Sequence, residues 1–83
     1  MFGEPWGLMN QAWVLVTSKI GKEHEALEGL RKITGVSEAH IVTGDHDIML
    51  LVEADSMKQL NDVLSWNIRR QKDVLSTITM VVI

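Results

Sequence analysis

Val36-Ser37-Glu38-Ala39-His40-Ile41-Val42, then Thr43-Gly44-Asp45-His46-Asp47, then Ile48-Met49-Leu50-Leu51-Val52 is the stretch whose reading decides the fold. The flanking runs are rich in apolar and β-branched residues, and the residues between them are polar and contain a glycine. Two such runs joined by a short Gly/Asp segment predict a β-hairpin: glycine accepts positive φ without steric cost, and aspartate can bond nearby backbone. The same turn is the most polar and backbone-exposed spot in an otherwise apolar stretch. It is therefore both the pivot of the predicted fold and the candidate ligand site.

Upstream of the hairpin, Ala12-Trp13-Val14-Leu15-Val16-Thr17 is a continuous apolar run that predicts a first strand. Gly21-Lys22 leads into a helix from Glu23 to Ile33, with Ala26, Leu27, Leu30 and Ile33 on one face and charge on the other. Acidic residues fall in its first turn and basic ones in its last, as the helix dipole favours, and Gly35 stands where a left-handed C-cap is expected. Downstream, Ser56 and Gln59 have capping-box spacing, which starts a second helix with Met57, Leu60, Val63, Leu64 and Ile68 as its apolar face. Arg69, Arg70 and Lys72 follow as dipole partners and solvated charges. Val74 to Ile83 predicts a fourth strand, Trp13 reads as core and Trp66 as a partly exposed helix position. The order β-α-β-β-α-β is a ferredoxin-like α+β plan, with both helices on one face of a four-stranded antiparallel sheet.

The chain of 83 residues is one small domain, read as residues 12–83 preceded by a flexible N-terminal arm over residues 1–11. Hydrophobic residues make up 46% of it, the formal charge is −3, and no cysteine is present. Disulfides and thiolate metal sites are thereby excluded, and the absence of a basic stripe argues against direct nucleic-acid binding. No apolar run is long enough to span a bilayer. Glu4 stands where a signal peptide would carry a basic residue, so a cytoplasmic location is expected. Two helices cover only one sheet face, yet Trp13-Val14-Leu15-Val16, Ile48-Met49-Leu50-Leu51-Val52 and Met80-Val81-Val82-Ile83 are apolar on both. A homodimer packed sheet to sheet, a dimeric α+β barrel, is the expected solution.

Gly21-Lys22-Glu23, the Gly35-Val36 step, Gly44-Asp45-His46-Asp47 and Val74-Leu75-Ser76-Thr77-Ile78-Thr79, taken in register, resemble the effector-binding (RAM) domain of Lrp/AsnC transcription regulators. The resemblance covers Ala12 to Ile83. It implies a ferredoxin-like domain that dimerises through its sheet and often forms rings of four or five dimers (octamer or decamer), with a free amino acid as effector bound near the Gly-x-x-Asp turn at contacts between dimers. Two departures stand out. The chain lacks the helix-turn-helix half, so it reads as a stand-alone member that would not bind DNA itself, and Gln71-Lys72-Asp73 replaces the Pro-Gly often found before the last strand.

The candidate ligand-binding residues are Thr43, Gly44, Asp45, His46 and Asp47, with Thr77 and Thr79 on one face of the fourth strand. Asp47 would accept the ammonium of an amino acid, amides of Gly44 to His46 would hold its carboxylate, and the threonines would offer hydroxyls. The alternative is that Gly44 and Asp47 simply build the hairpin, Asp47 bonding back to loop amides. His24, His40 and His46 share no metal-ligand spacing, and no catalytic motif or cofactor is apparent. Two other functions remain open. One is a structural adaptor that co-assembles with a full-length Lrp/AsnC regulator. The other is a small dimeric monooxygenase or isomerase, which would require a deep cavity lined by a histidine and Trp13 or Trp66.

Overall fold

A computed structural model describes residues 10–83. Strands β1 (Asn10–Ser18), β2 (Val36–Ile41), β3 (Ile48–Ala54) and β4 (Val74–Val81) form one antiparallel sheet in the order β2-β3-β1-β4. Helix α1 (Glu23–Arg31) lies between β1 and β2. Helix α2 (Met57–Asp62) follows β3 and runs into a π-helical segment, Val63–Asn67. This is the ferredoxin-like α+β fold. Strand β1 begins at Asn10, two residues before the expected start; the rest of the predicted arm lies outside the described residues.

Side chains alternate between the two faces of the sheet. Ala12, Val14 and Val16 of β1 share the helix side with Ile48, Leu50 and Val52 of β3 and with Ala39 of β2, and all are buried. Ala26, Leu27 and Leu30 of α1 and Leu60, Val63 and Ile68 of the second helical stretch close over them. Trp13 is not part of this core. The register sets it between Leu51 and Met80 on the opposite face, where it is half-buried.

Helix α2 starts where the capping-box spacing places it, with Ser56 Oγ accepting the Gln59 N–H at 3.1 Å. It does not continue as a uniform α-helix, because the Ile68 N–H bonds to Val63 O, five residues back. Leu60, Leu64 and Ile68 recur every four residues, and on a 3.6-residue helix each such step drifts by roughly 40°. The wider π turn takes up that drift and returns Ile68 over the core, where it is as fully buried as Leu60.

Two corners differ from expectation. Gly35 has φ +105° but is not the C-cap of α1, which ends at Lys32 in right-handed geometry. Instead Gly35 opens β2, its carbonyl accepting the Glu53 N–H at 2.8 Å. A Cβ there would lie 3.1 Å from Val63 Cγ2, so the glycine permits the π segment to pack closely. Before β4, Asp73 takes φ +73°. The left-handed corner that a glycine usually supplies is thus kept by an aspartate, a residue that tolerates it better than most. The Asp73 carbonyl accepts the Lys19 N–H at 2.9 Å.

Candidate functional site

The hairpin loop between β2 and β3 is closed by the Val42 N–H, which donates to Asp47 O at 2.9 Å, and it is tied to β1 by the Asp47 N–H on Val16 O at 3.0 Å. Within it Gly44 has φ +119°, a conformation that demands glycine, and a Cβ at this point would meet nothing within 4 Å. Thr43, Gly44 and Asp45 are exposed, and His46 and Asp47 are half-buried against β1. Among the described residues no backbone carbonyl accepts from the amides of Gly44, Asp45 or His46. Successive free N–H groups in such a turn are suited to an anion.

Asp47 fills the structural role open to a turn aspartate, though its partner is β1 rather than the loop. Its Oδ2 accepts the Ser18 N–H at 2.8 Å and the Ser18 hydroxyl at 3.2 Å. Ser18 is buried, so this carboxylate satisfies groups at the end of β1 that water does not reach. Among the described residues Oδ1 has no such partner, so one carboxylate can clamp β1 and still receive a cation from outside. His46 leans the same way, with Nδ1 3.2 Å from Thr17 Oγ1.

Thr77 and Thr79 are not brought to this turn. They pair with Val16 and Val14 and point to the helix side of edge strand β4, with β1 between them and β3. Two strand spacings, roughly 10 Å, separate β4 from the strand that carries the turn. Within a single chain the candidate site therefore brings residues 43–47 together with the Thr17–Ser18 end of β1, a contact not expected from the sequence. Ser18 gave no signal of its own, being an ordinary polar residue after an apolar run.

The second surface is the sheet face away from the helices. Leu51, Trp13 and Met80 form one row across β3, β1 and β4, and Met49, Leu15 and Ile78 form the next. Ile78 and Met80 are 49% and 48% exposed. Polar pairs border the patch: Gln11 Nε2 donates to Glu53 Oε2 at 2.7 Å, and His40 Nε2 lies 3.2 Å from Glu38 Oε1.

A groove of about 630 Å³ opens between the start of β2 and the second helical stretch, beside a smaller hollow of about 390 Å³. Neither is lined by Trp13, Trp66 or any histidine, so neither supplies the cavity that a small oxygenase or isomerase would need. Among the described residues no three histidine, cysteine or acidic side chains group as a metal would require. No helix among the described residues is long and apolar enough to cross a membrane.

The structure is a four-stranded ferredoxin-like sheet with helices on one side, an apolar open face and a Gly-x-x-Asp turn, which defines a class of small α+β domains. The family model for the Lrp/AsnC ligand binding domain matches residues 11–83, and the chain belongs to that family. An uncharacterized HTH-type transcriptional regulator of Pyrococcus furiosus is 39% identical over 59 residues, which are 71% of this chain and 39% of that protein. The chain thus spans about two fifths of the length of that curated relative. The crystal structure of FFRP-DM1 superposes with a TM-score of 0.84 at 34% identity, covering 89% of this chain and 99% of that one. A feast or famine regulatory protein from M. tuberculosis, solved in complex with L-methionine, gives a TM-score of 0.74 at 27% identity, covering 93% and 52%.

Proposed function

We propose that this chain is a non-catalytic, amino-acid-responsive assembly module that acts on transcription regulation. A second copy packs on the open sheet face, and a free amino acid binds at the Gly44–Asp47 turn where dimers meet. The observation that carries the reading is the state of that turn: free amides at Gly44 to His46 beside an aspartate with one oxygen committed to Ser18 and the other open. That pairing suits the carboxylate and ammonium of an amino acid. The L-methionine complex of the mycobacterial relative supports the ligand class.

Because the turn is shallow and exposed in one chain, affinity depends on a neighbour closing over it. A ligand that binds one assembly state better than another shifts the balance between them by that difference in affinity. Isothermal titration with each of the twenty amino acids tests this. Saturable heat with at least one of them, lost in Asp47→Ala, is expected; no heat at millimolar concentration with any would refute the ligand half.

A second reading is an adaptor that co-assembles with a full-length regulator without binding a small molecule. It is favoured by the same open face, whose apolar rows would be covered by a partner of this fold as well as by a second copy. Pull-down of such a regulator, unchanged by amino acids, would select it.

A further inference from the structure

We infer that the groove at the far end of the sheet from the Gly44 turn is a second ligand site, for a small zwitterion whose ammonium and carboxylate are separated by an alkyl chain. It is independent of the turn, lying where β2 begins and β3 ends. Its volume of about 630 Å³ falls within the range of small-molecule sites, about 300–1,000 Å³.

Charge is segregated along it. The larger compartment is lined by the acidic residues Asp55 and Asp62, by the backbone of Glu53, and by no lysine, arginine or histidine. Among the described residues Asp62 has a cation, Lys58 Nζ at 3.5 Å, in a weak exposed pair, and Asp55 has none. The Glu53 carboxylate is on the opposite face of the sheet, held by the Gln11 amide, and takes no part in the groove. The adjoining hollow of about 390 Å³ has Arg70 as its one charged lining residue, and Arg70 forms no ion pair among the described residues. Thr34 and Asn67 line both compartments and join them.

The floor is built at some cost. The π segment Val63–Asn67 borders the groove along one side, and Gly35, at φ +105°, lets Val63 sit against the strand opposite. Interruptions of this kind are found frequently at functional sites. Val36, Ala54 and Val63 give the apolar lining that an alkyl chain requires.

These features select the ligand. An ammonium sits beside Asp55 and Asp62, and a carboxylate takes the fork of Arg70, which suits planar bidentate pairing. Asp62 and Arg70 are about two helical turns apart. The two charges of an α-amino acid, carried on one carbon, do not bridge them. A terminal amine several methylenes from a carboxylate does, as in ω-amino acids or the side chain of a basic amino acid.

The probe is 6-aminohexanoate, titrated calorimetrically into the wild-type protein, Asp55→Asn and Arg70→Gln, with amide shifts recorded by NMR. Both substituted side chains are exposed, and thermal melts confirm that the variants fold. The expected result is saturable binding at one per chain that weakens by at least about tenfold in each variant. Hexanoate and hexylamine, each lacking one charge, bind weaker than the zwitterion by a similar factor. Perturbed amides fall in Thr34–Ser37 and at Asn67. Absence of saturation at millimolar probe, indifference to both substitutions, or shifts confined to Thr43–Asp47 would each overturn the inference. None of these outcomes bears on whether an α-amino acid binds the turn.

Discussion

Replacing Asp47 measures what the turn contributes to folding. In Asp47→Ala the Ser18 N–H and hydroxyl lose the oxygen that accepts them at 2.8 and 3.2 Å. Ser18 is 3% exposed, so water does not readily replace that acceptor. A buried donor left unpaired costs about 1–3 kcal/mol, and a bond to a charged acceptor sits toward the upper end. The expected loss is about 2–4 kcal/mol. Set against about 4–12 kcal/mol for a domain of this size, that is a large fraction. Asp47→Asn keeps an acceptor of the same shape and loses only the charge, so about 1 kcal/mol is expected. The assay is thermal denaturation by circular dichroism at fixed protein concentration, because association shifts the midpoint. At about 4–8 °C per kcal/mol, the alanine variant should melt at least about 8 °C below wild type and the asparagine variant between them. An alanine variant within about 2 °C of wild type would show that the clamp contributes nothing and would refute the reasoning.

Further substitutions probe other parts of the structure. Asp73→Gly should raise stability by up to about 1 kcal/mol by relieving φ +73°, whereas Asp73→Val should lower it by about 1–2 kcal/mol, both read from urea midpoints. Gly35→Ala places a Cβ 3.1 Å from Val63 Cγ2 at φ +105°, and a loss of about 1–3 kcal/mol in the same assay is expected. Ser56→Ala removes the α2 cap and should cost about 1 kcal/mol, with the helical signal at 222 nm unchanged in the folded baseline. Leu15→Lys, in the middle of the open face, should weaken self-association by about two orders of magnitude in sedimentation equilibrium, since a charge would be buried against apolar neighbours.

The main elements were legible because their signals are local. Gly44 between two β-runs announced the hairpin, Ser56 and Gln59 marked the start of α2, and apolar residues on both faces of β1 and β3 exposed the uncovered side of the sheet. What was not legible depends on register and close packing. Whether Trp13 points to the core or away from it depends on the pairing with Leu51 and Met80, and a shift of one residue would invert it. The four-residue spacing of Leu60, Leu64 and Ile68 carried the hint of a π turn, but helical periodicity absorbs it easily. Gly35 reads as a cap from sequence because a glycine after a helix usually is one, and only its contact with Val63 shows otherwise. Thr77 and Thr79 share a strand face with each other, yet β1 stands between them and the turn, a consequence of the strand order β2-β3-β1-β4. The structural role of Asp47 falls on one carboxylate oxygen, which holds the end of β1, while the other has no partner among the described residues.

The most direct test of an amino-acid-responsive assembly is native mass spectrometry of the wild-type protein, with and without a mixed pool of the twenty amino acids. Dimers or rings of dimers that retain an amino-acid mass, with the distribution of assembly states shifted by the pool, are the predicted result. A monomer, or an assembly that retains no small molecule and does not respond to the pool, would contradict it.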